Sequence, residues 1–344
     1  MKHKPNVIIA LVLFFLMAQF TGLLIINHYI DHKKTIETKA VAWQPLPYSL
    51  ERPEVKNQSA SFIYITVAIL IGTVLVLLLI KFNKPFIWKA WFFLTVWLTL
   101  AIAFAAFINN IIAAILALII SVLKLYKPGI IIQNLSEIFI YGGLAAIFVP
   151  MINLFAAFML LIVISIYDFV AVFKTKHMIK LAEFQSQSKV FAGLIIPYEI
   201  HENRRFSGHQ KSKGFFSEGK ISIKSKAVAK LESGEKKAGE MSERVVVLRE
   251  HSQSSRSSAS SRKSLAVLGG GDIGFTLIFA GVVMKNLMLQ ETMLTGFLKA
   301  LIIPFFVSLA LFILLLKGQQ SKFYPAMPVL SIGCFIGYWV VLLI

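Results

Sequence analysis

Nine times along its length this chain runs apolar for 14 to 24 residues. Hydrocarbon offers backbone N–H and C=O groups no partner, so such a run crosses a membrane as a helix that satisfies itself. The runs are Asn6–Asn27, Ser61–Ile80, Pro85–Ile108, Asn110–Leu123, Ile130–Val149, Met151–Phe173, Leu265–Met284, Met293–Leu316 and Phe323–Ile344. The fourth is short for a span and is expected to extend through Asn109 and Tyr126. The first is longer than the apolar core of a signal peptide and lacks a small-residue cleavage site, so it reads as a retained span. Trp88, Trp91 and Tyr126 lie near span ends, where aromatic rings favour the interface. The expected fold class is all-α: a polytopic membrane protein with nine transmembrane helices. A hydrophobic content of 57% and a mean hydropathy of +0.74 agree with that class.

Charge orients the bundle. A net charge of +18 in a soluble protein would suggest nucleic acid. Here the positive-inside rule accounts for it, and no nucleic-acid partner is expected. With the N-terminus inside, the inner loops hold Lys81, Lys84 and Lys89, then Lys124 and Lys127, then a long basic segment, then Lys317 and Lys322. The C-terminus is then external, and the expected location is the cell membrane. Lys285 falls on the outer side and is expected to snorkel to the surface. Glu137, near the inner start of the fifth span, reads as an interfacial residue.

Three regions follow. Residues 1–173 form an N-terminal bundle of six spans, residues 174–264 a cytoplasmic loop, and residues 265–344 the last three spans. The loop has 19 Lys or Arg and 9 Glu, hence 19 − 9 = +10. It suits contact with anionic headgroups. Its Ser-rich part, His251–Ser264, reads as disordered. Phe191–Ile200 and Val245–Leu248 are apolar enough for short strands or docking segments. The only cysteine, Cys334, lies in the last run, so no disulfide framework and no cysteine-based metal site is expected.

Beyond Glu137, two acids break the apolar pattern, Asp168 in the sixth run and Asp272 in the seventh. An intramembrane Asp costs about 2.5–3.5 kcal/mol on insertion scales and is a functional-site candidate by default. Asp168 lies six residues before Lys174, and Asp272 lies nine after Lys263. At the helical rise these are depths of about 9 and 13 Å from the same inner surface. Consecutive antiparallel spans therefore bring the two carboxyls face to face. Close carboxyls in low dielectric resist double ionisation and hold a single proton between them. The ionised member can take a proton from water while the protonated one hydrogen-bonds a scissile carbonyl. Gly269, Gly270 and Gly271 weaken the helix before Asp272, and irregular backbone at this depth suits a wet cavity. Pro325 and Pro328, flanking Ala326 and Met327, predict a bent or unwound start to the ninth span.

With these residues the chain resembles the GxGD intramembrane aspartyl proteases, the presenilin and signal peptide peptidase family, most of all its archaeal presenilin-type members. The family's Tyr-Asp motif falls on Tyr167-Asp168, its Gly-x-Gly-Asp on Gly269-Gly270-Gly271-Asp272, and its Pro-Ala-Leu on Pro325-Ala326-Met327. Met327 replaces the usual Leu with a side chain of similar size. Lys176–Glu183 also looks like the helix that follows span six in archaeal members. The resemblance implies a presenilin-like fold. It implies proteolysis of single-span membrane substrates by Asp168 and Asp272, without metal or cofactor. Tyr167, the three glycines and Pro325-Ala326-Met327 would shape the site. An inward N-terminus matches the presenilin side of the family, which takes substrates whose N-terminus is outside.

Other functions use buried acids too. A proton-coupled transporter relays protons through them, although no internal repeat is evident. A non-catalytic membrane chaperone would tolerate their loss. The expected partners are transmembrane-helix substrates and the lipid bilayer.

Overall fold

The computed structural model describes residues 5–53, 55–82, 84–127, 129–175, 184, 190–200, 262–317 and 324–344. Among them, eight helices are long and apolar enough to cross a membrane, and a further apolar helix, Asn110–Tyr126, is shorter. The protein is an integral, multi-pass membrane protein. In chain order the helices are α1 Pro5–His28, α2 His32–Thr38, α3 Ser61–Lys81, α4 Pro85–Ala105, α5 Asn110–Tyr126, α6 Ile130–Phe148 and α7 Leu154–Val170. After the basic segment come α8 Gly270–Gln290, α9 Met293–Ala300, α10 Ile302–Lys317 and α11 Ala326–Leu343. The eighth apolar run is thus two helices, broken at Leu301.

Polar residues at the turns set the boundaries. Asn109 accepts from the Ile111 amide at 2.9 Å and starts α5, which runs on to Tyr126 as the sequence suggests. Asn153 accepts from the Ala156 amide at 2.8 Å and starts α7. Each satisfies one of the orphan amides of a helix N-terminus.

α8 is the most buried of the spans, and α1, α6, α7 and α11 pack around it. α3 lies at the periphery, where Ser61 is its one buried residue and one apolar face is exposed. Lys285 does not snorkel: it is buried, and its Nζ donates to the carbonyls of Val149 at 2.9 Å and Ile152 at 2.5 Å. A cation there satisfies carbonyls left free where α6 ends. Glu137 is likewise buried, at 1% exposure, paired with Lys124 of α5.

The larger departure from the sequence reading lies just before α8. Arg262–Gly269 is a strand, β2, paired antiparallel with β1, Gly193–Ile200. The seventh span therefore begins at Gly270 rather than Leu265, and Arg262–Ser264 belong to the sheet. β1 matches the apolar stretch Phe191–Ile200. Lys176–Glu183 and Val245–Leu248 lie outside the described residues, as does His251–Ser261 of the Ser-rich stretch.

Candidate active site

Three helices carry the predicted site residues, and an aromatic cluster fixes their register. Phe158 of α7 meets Phe279 of α8 at 5.1 Å, and Phe335 and Tyr338 of α11 at 5.2 and 5.1 Å between ring centroids. Ring pairs at this spacing add about 0.5–1.5 kcal/mol each beyond their buried area. Asp168, Asp272 and Met327 stand ten, seven and eight residues from the cluster, toward one side of the membrane. At the helical rise that is about 10 to 15 Å, so all three reach similar depth. A hydrogen bond between Ser165 and Ser331, at 2.8 Å, ties α7 to α11 closer to the site.

Asp168 and Asp272 line one cavity of about 180 Å³, with Tyr167, Gly269, Gly271 and Met327. Thr66, Ile69 and Leu70 of α3 and Val163, Ile164 and Phe275 complete an otherwise apolar wall. The two carboxyls lie within electrostatic range of one another. Both are half-buried.

Each carboxyl also sits at a helix N-terminus, where the free amides favour negative charge. Asp272 is in the first turn of α8. The start of α11 is more unusual. Pro325 is extended and supplies no side-chain cap. Asp168 does so from another helix: the Met327 amide donates to its Oδ2 at 3.2 Å, and the Ala326 amide also faces the carboxyl. The prolines thus give a late, unwound start to α11 that presents its first amides to Asp168.

The three glycines divide by role. Gly269 and Gly271 border the cavity, while Gly270 is pressed against Tyr141 of α6. A Cβ at Gly270 would overlap the Tyr141 hydroxyl and lie 3.0 Å from Cζ of its ring. Tyr167 shares a 3.0 Å hydrogen bond with Thr73 of α3, linking the peripheral helix to the residue beside Asp168.

The sheet leads straight into α8. The Gly270 amide donates to the Ala192 carbonyl at 3.3 Å. One edge is closed: Asn134 of α6 bonds both the amide and the carbonyl of Ile195, at 2.9 and 2.8 Å, and Gln133 bonds the Gly193 carbonyl at 2.9 Å. Pro197, on that same edge, has no amide to leave free. Because Ile195 turns its polar backbone toward α6, its partner Val267 turns the corresponding groups to the opposite, outer edge of β2. The Val267 side chain is exposed, and this edge ends five residues before Asp272.

Comparison with known proteins agrees with this fold. The family model described as signal-peptide peptidase, presenilin aspartyl protease matches residues 39–221, more than half of the chain. The chain belongs to this family. Comparison with curated proteins gives no match. Among solved structures the fold matches a presenilin family intramembrane aspartate protease in two crystal forms. For the C222 form the TM-score is 0.53 at 15% identity, covering 98% of each chain. For the P2 form it is 0.51 at 16% identity, covering 97% of this chain and 96% of the other. The family and the presenilin-like fold make the chain a protease at family level.

Residues that sequence reasoning missed are Thr73, Gln133, Asn134, Tyr141 and the Val267 edge. One signal was present: Glu137 and Tyr141 stand four apart and share a helix face.

Proposed function

We propose that the chain is an intramembrane aspartyl endopeptidase that hydrolyses peptide bonds of single-span transmembrane substrates, with Asp168 and Asp272 sharing one proton. The ionised carboxylate takes a proton from water as the oxygen attacks the scissile carbonyl carbon. The protonated carboxyl gives its proton to the carbonyl oxygen. The resulting gem-diol collapses as a proton passes to the amide nitrogen. The C–N bond breaks, one water is consumed and the dyad is restored. This chemistry calls on no metal or cofactor.

The observation that carries this reading is the shared cavity: two carboxyls line it at converging helix N-termini, close in sequence to a β2 edge that no described residue pairs with. A helical peptide bond is shielded by its own hydrogen bonds, so the substrate has to unwind. An unwound segment in hydrocarbon needs new partners for its backbone. The outer edge of β2 supplies them by strand addition, and delivers the chain toward Asp272. Tyr167, Gly269, Gly270, Gly271, Pro325, Ala326 and Met327 shape the site around the two acids.

The basic inner loops support a cell-membrane protein with a cytoplasmic N-terminus and external C-terminus, hence substrates with an external N-terminus. They also support a division into six spans in residues 1–173, a basic segment that carries β1 and β2, and three last spans that begin at Gly270 rather than Leu265. The test is incubation of the protein with a single-span peptide, with and without a transition-state aspartyl-protease inhibitor. Two product masses summing to substrate plus one water, lost with inhibitor, are expected. Intact peptide throughout would sink the reading.

A further inference from the structure

Lys124 and Glu137 are 3% and 1% exposed, deep among spans, in a position where charge is expensive. Lys124 Nζ donates to Glu137 Oε1 at 2.5 Å and to Ser136 Oγ at 2.9 Å. Gln133 Nε2 donates to the same Glu137 oxygen at 3.0 Å and to the Gly193 carbonyl of β1 at 2.9 Å. The other Glu137 oxygen accepts from the Tyr141 hydroxyl. Tyr141 in turn lies against Gly270, two residues before Asp272 and within electrostatic range of it.

These contacts close a circuit. It runs from Glu137 through Gln133 to β1, across the ladder to β2, along the chain to Gly270, and back through Tyr141 to Glu137. One arm sets the sheet and the other sets the first turn of α8. A buried ion pair stabilises little by itself and is best retained where it fixes one arrangement against others.

We propose that Tyr141 and Glu137, anchored by Lys124, are positioning residues that hold the first turn of α8, and with it Asp272, in the geometry needed for hydrolysis. This rests on Asp272 being one of the two reacting acids. The Tyr141 ring floors the glycine turn, and its hydroxyl bond to Glu137 stops the ring from tilting. Misplacing a reacting group lowers the chemical step without weakening a substrate bound at the β2 edge.

Tyr141→Phe keeps the ring and leaves Glu137 paired with Lys124 and Gln133, so the protein folds. With a single-span peptide as substrate, kcat is expected to fall about tenfold at unchanged KM and nearly unchanged melting temperature. Glu137→Gln is expected to lower kcat similarly. The double variant loses little beyond the larger single effect, because both act through one bond. Wild-type kcat in Tyr141→Phe overturns the proposal, as does a fully multiplicative double loss. Asp272→Ala separates the two claims. If it is inactive while Tyr141→Phe is normal, only the positioning role fails. If it still cleaves, both fail.

Discussion

The Met327 amide at the start of α11 donates to the Asp168 carboxylate on α7 at 3.2 Å, so one predicted acid caps the helix that carries the Pro-Ala-Met element. What matters at position 327 is then the amide first and the side chain second. Met327→Leu keeps both the amide and the apolar wall, and is expected to cleave at near wild-type rate. Met327→Pro removes the amide at a first-turn position where proline is sterically tolerated. A hydrogen bond to a charged group is worth about 1.5–3 kcal/mol, so the rate is expected to fall about 10- to 100-fold. Peptide cleavage assays on both variants decide the point, and equal rates would contradict it.

Within the glycine run, the motif Gly-x-Gly-Asp leaves position 270 free, yet it is the position with no room. Gly270→Ala drives a Cβ into Tyr141, whereas Gly271→Ala meets only Phe275, at 3.7 Å. Gly270→Ala is expected to lower melting temperature and abolish cleavage. Gly271→Ala is expected to fold normally and to raise KM by narrowing the cavity. Thermal melting alongside steady-state kinetics checks the order.

Strand addition at β2 makes a prediction specific to one atom. The Val267 amide points away from β1, so Val267→Pro leaves the β1–β2 ladder intact while removing a donor from the outer edge. KM for a transmembrane peptide is expected to rise by about tenfold, one hydrogen bond's worth. Val267→Thr keeps the amide and is expected to behave as wild type. An unchanged KM in Val267→Pro would remove the sheet edge from the account.

Lys285→Met strips two buried carbonyls, of Val149 and Ile152, of their donor. The loss is expected to be about 1–3 kcal/mol in stability. Activity per folded molecule should be unchanged, since Lys285 lies at the opposite end of α8 from Asp272. Melting temperature and active-site titration with a tight inhibitor separate the two quantities.

The apolar helices, the meeting of Asp168 and Asp272 at one cavity and the late start of α11 were legible in the sequence because each follows from local pattern. The depth of Asp272 counted at the helical rise from Lys263 was not, because Arg262–Gly269 is a strand. Apolar run length sets a span, and Pro325 and Pro328 mark its unwound start. The β2 strand was missed because Leu265–Leu268 reads as the head of a spanning run. Only its partner, about 70 residues upstream at Leu194–Pro197, makes it a strand. Lys285 and Glu137 were placed at the surface for a related reason. A lone charge near a span end is cheapest there, and nothing local announces the Val149 carbonyl or Lys124 that meet them in the folded bundle.

The central claim is that Asp168 and Asp272 together perform hydrolysis. Its most direct measurement is product mass from a single-span peptide incubated with wild type, Asp168→Asn and Asp272→Asn, each shown folded by melting. Asparagine keeps the shape and removes the shared proton. The account predicts two products from wild type and none from either variant. Products from either variant at the wild-type rate would contradict it.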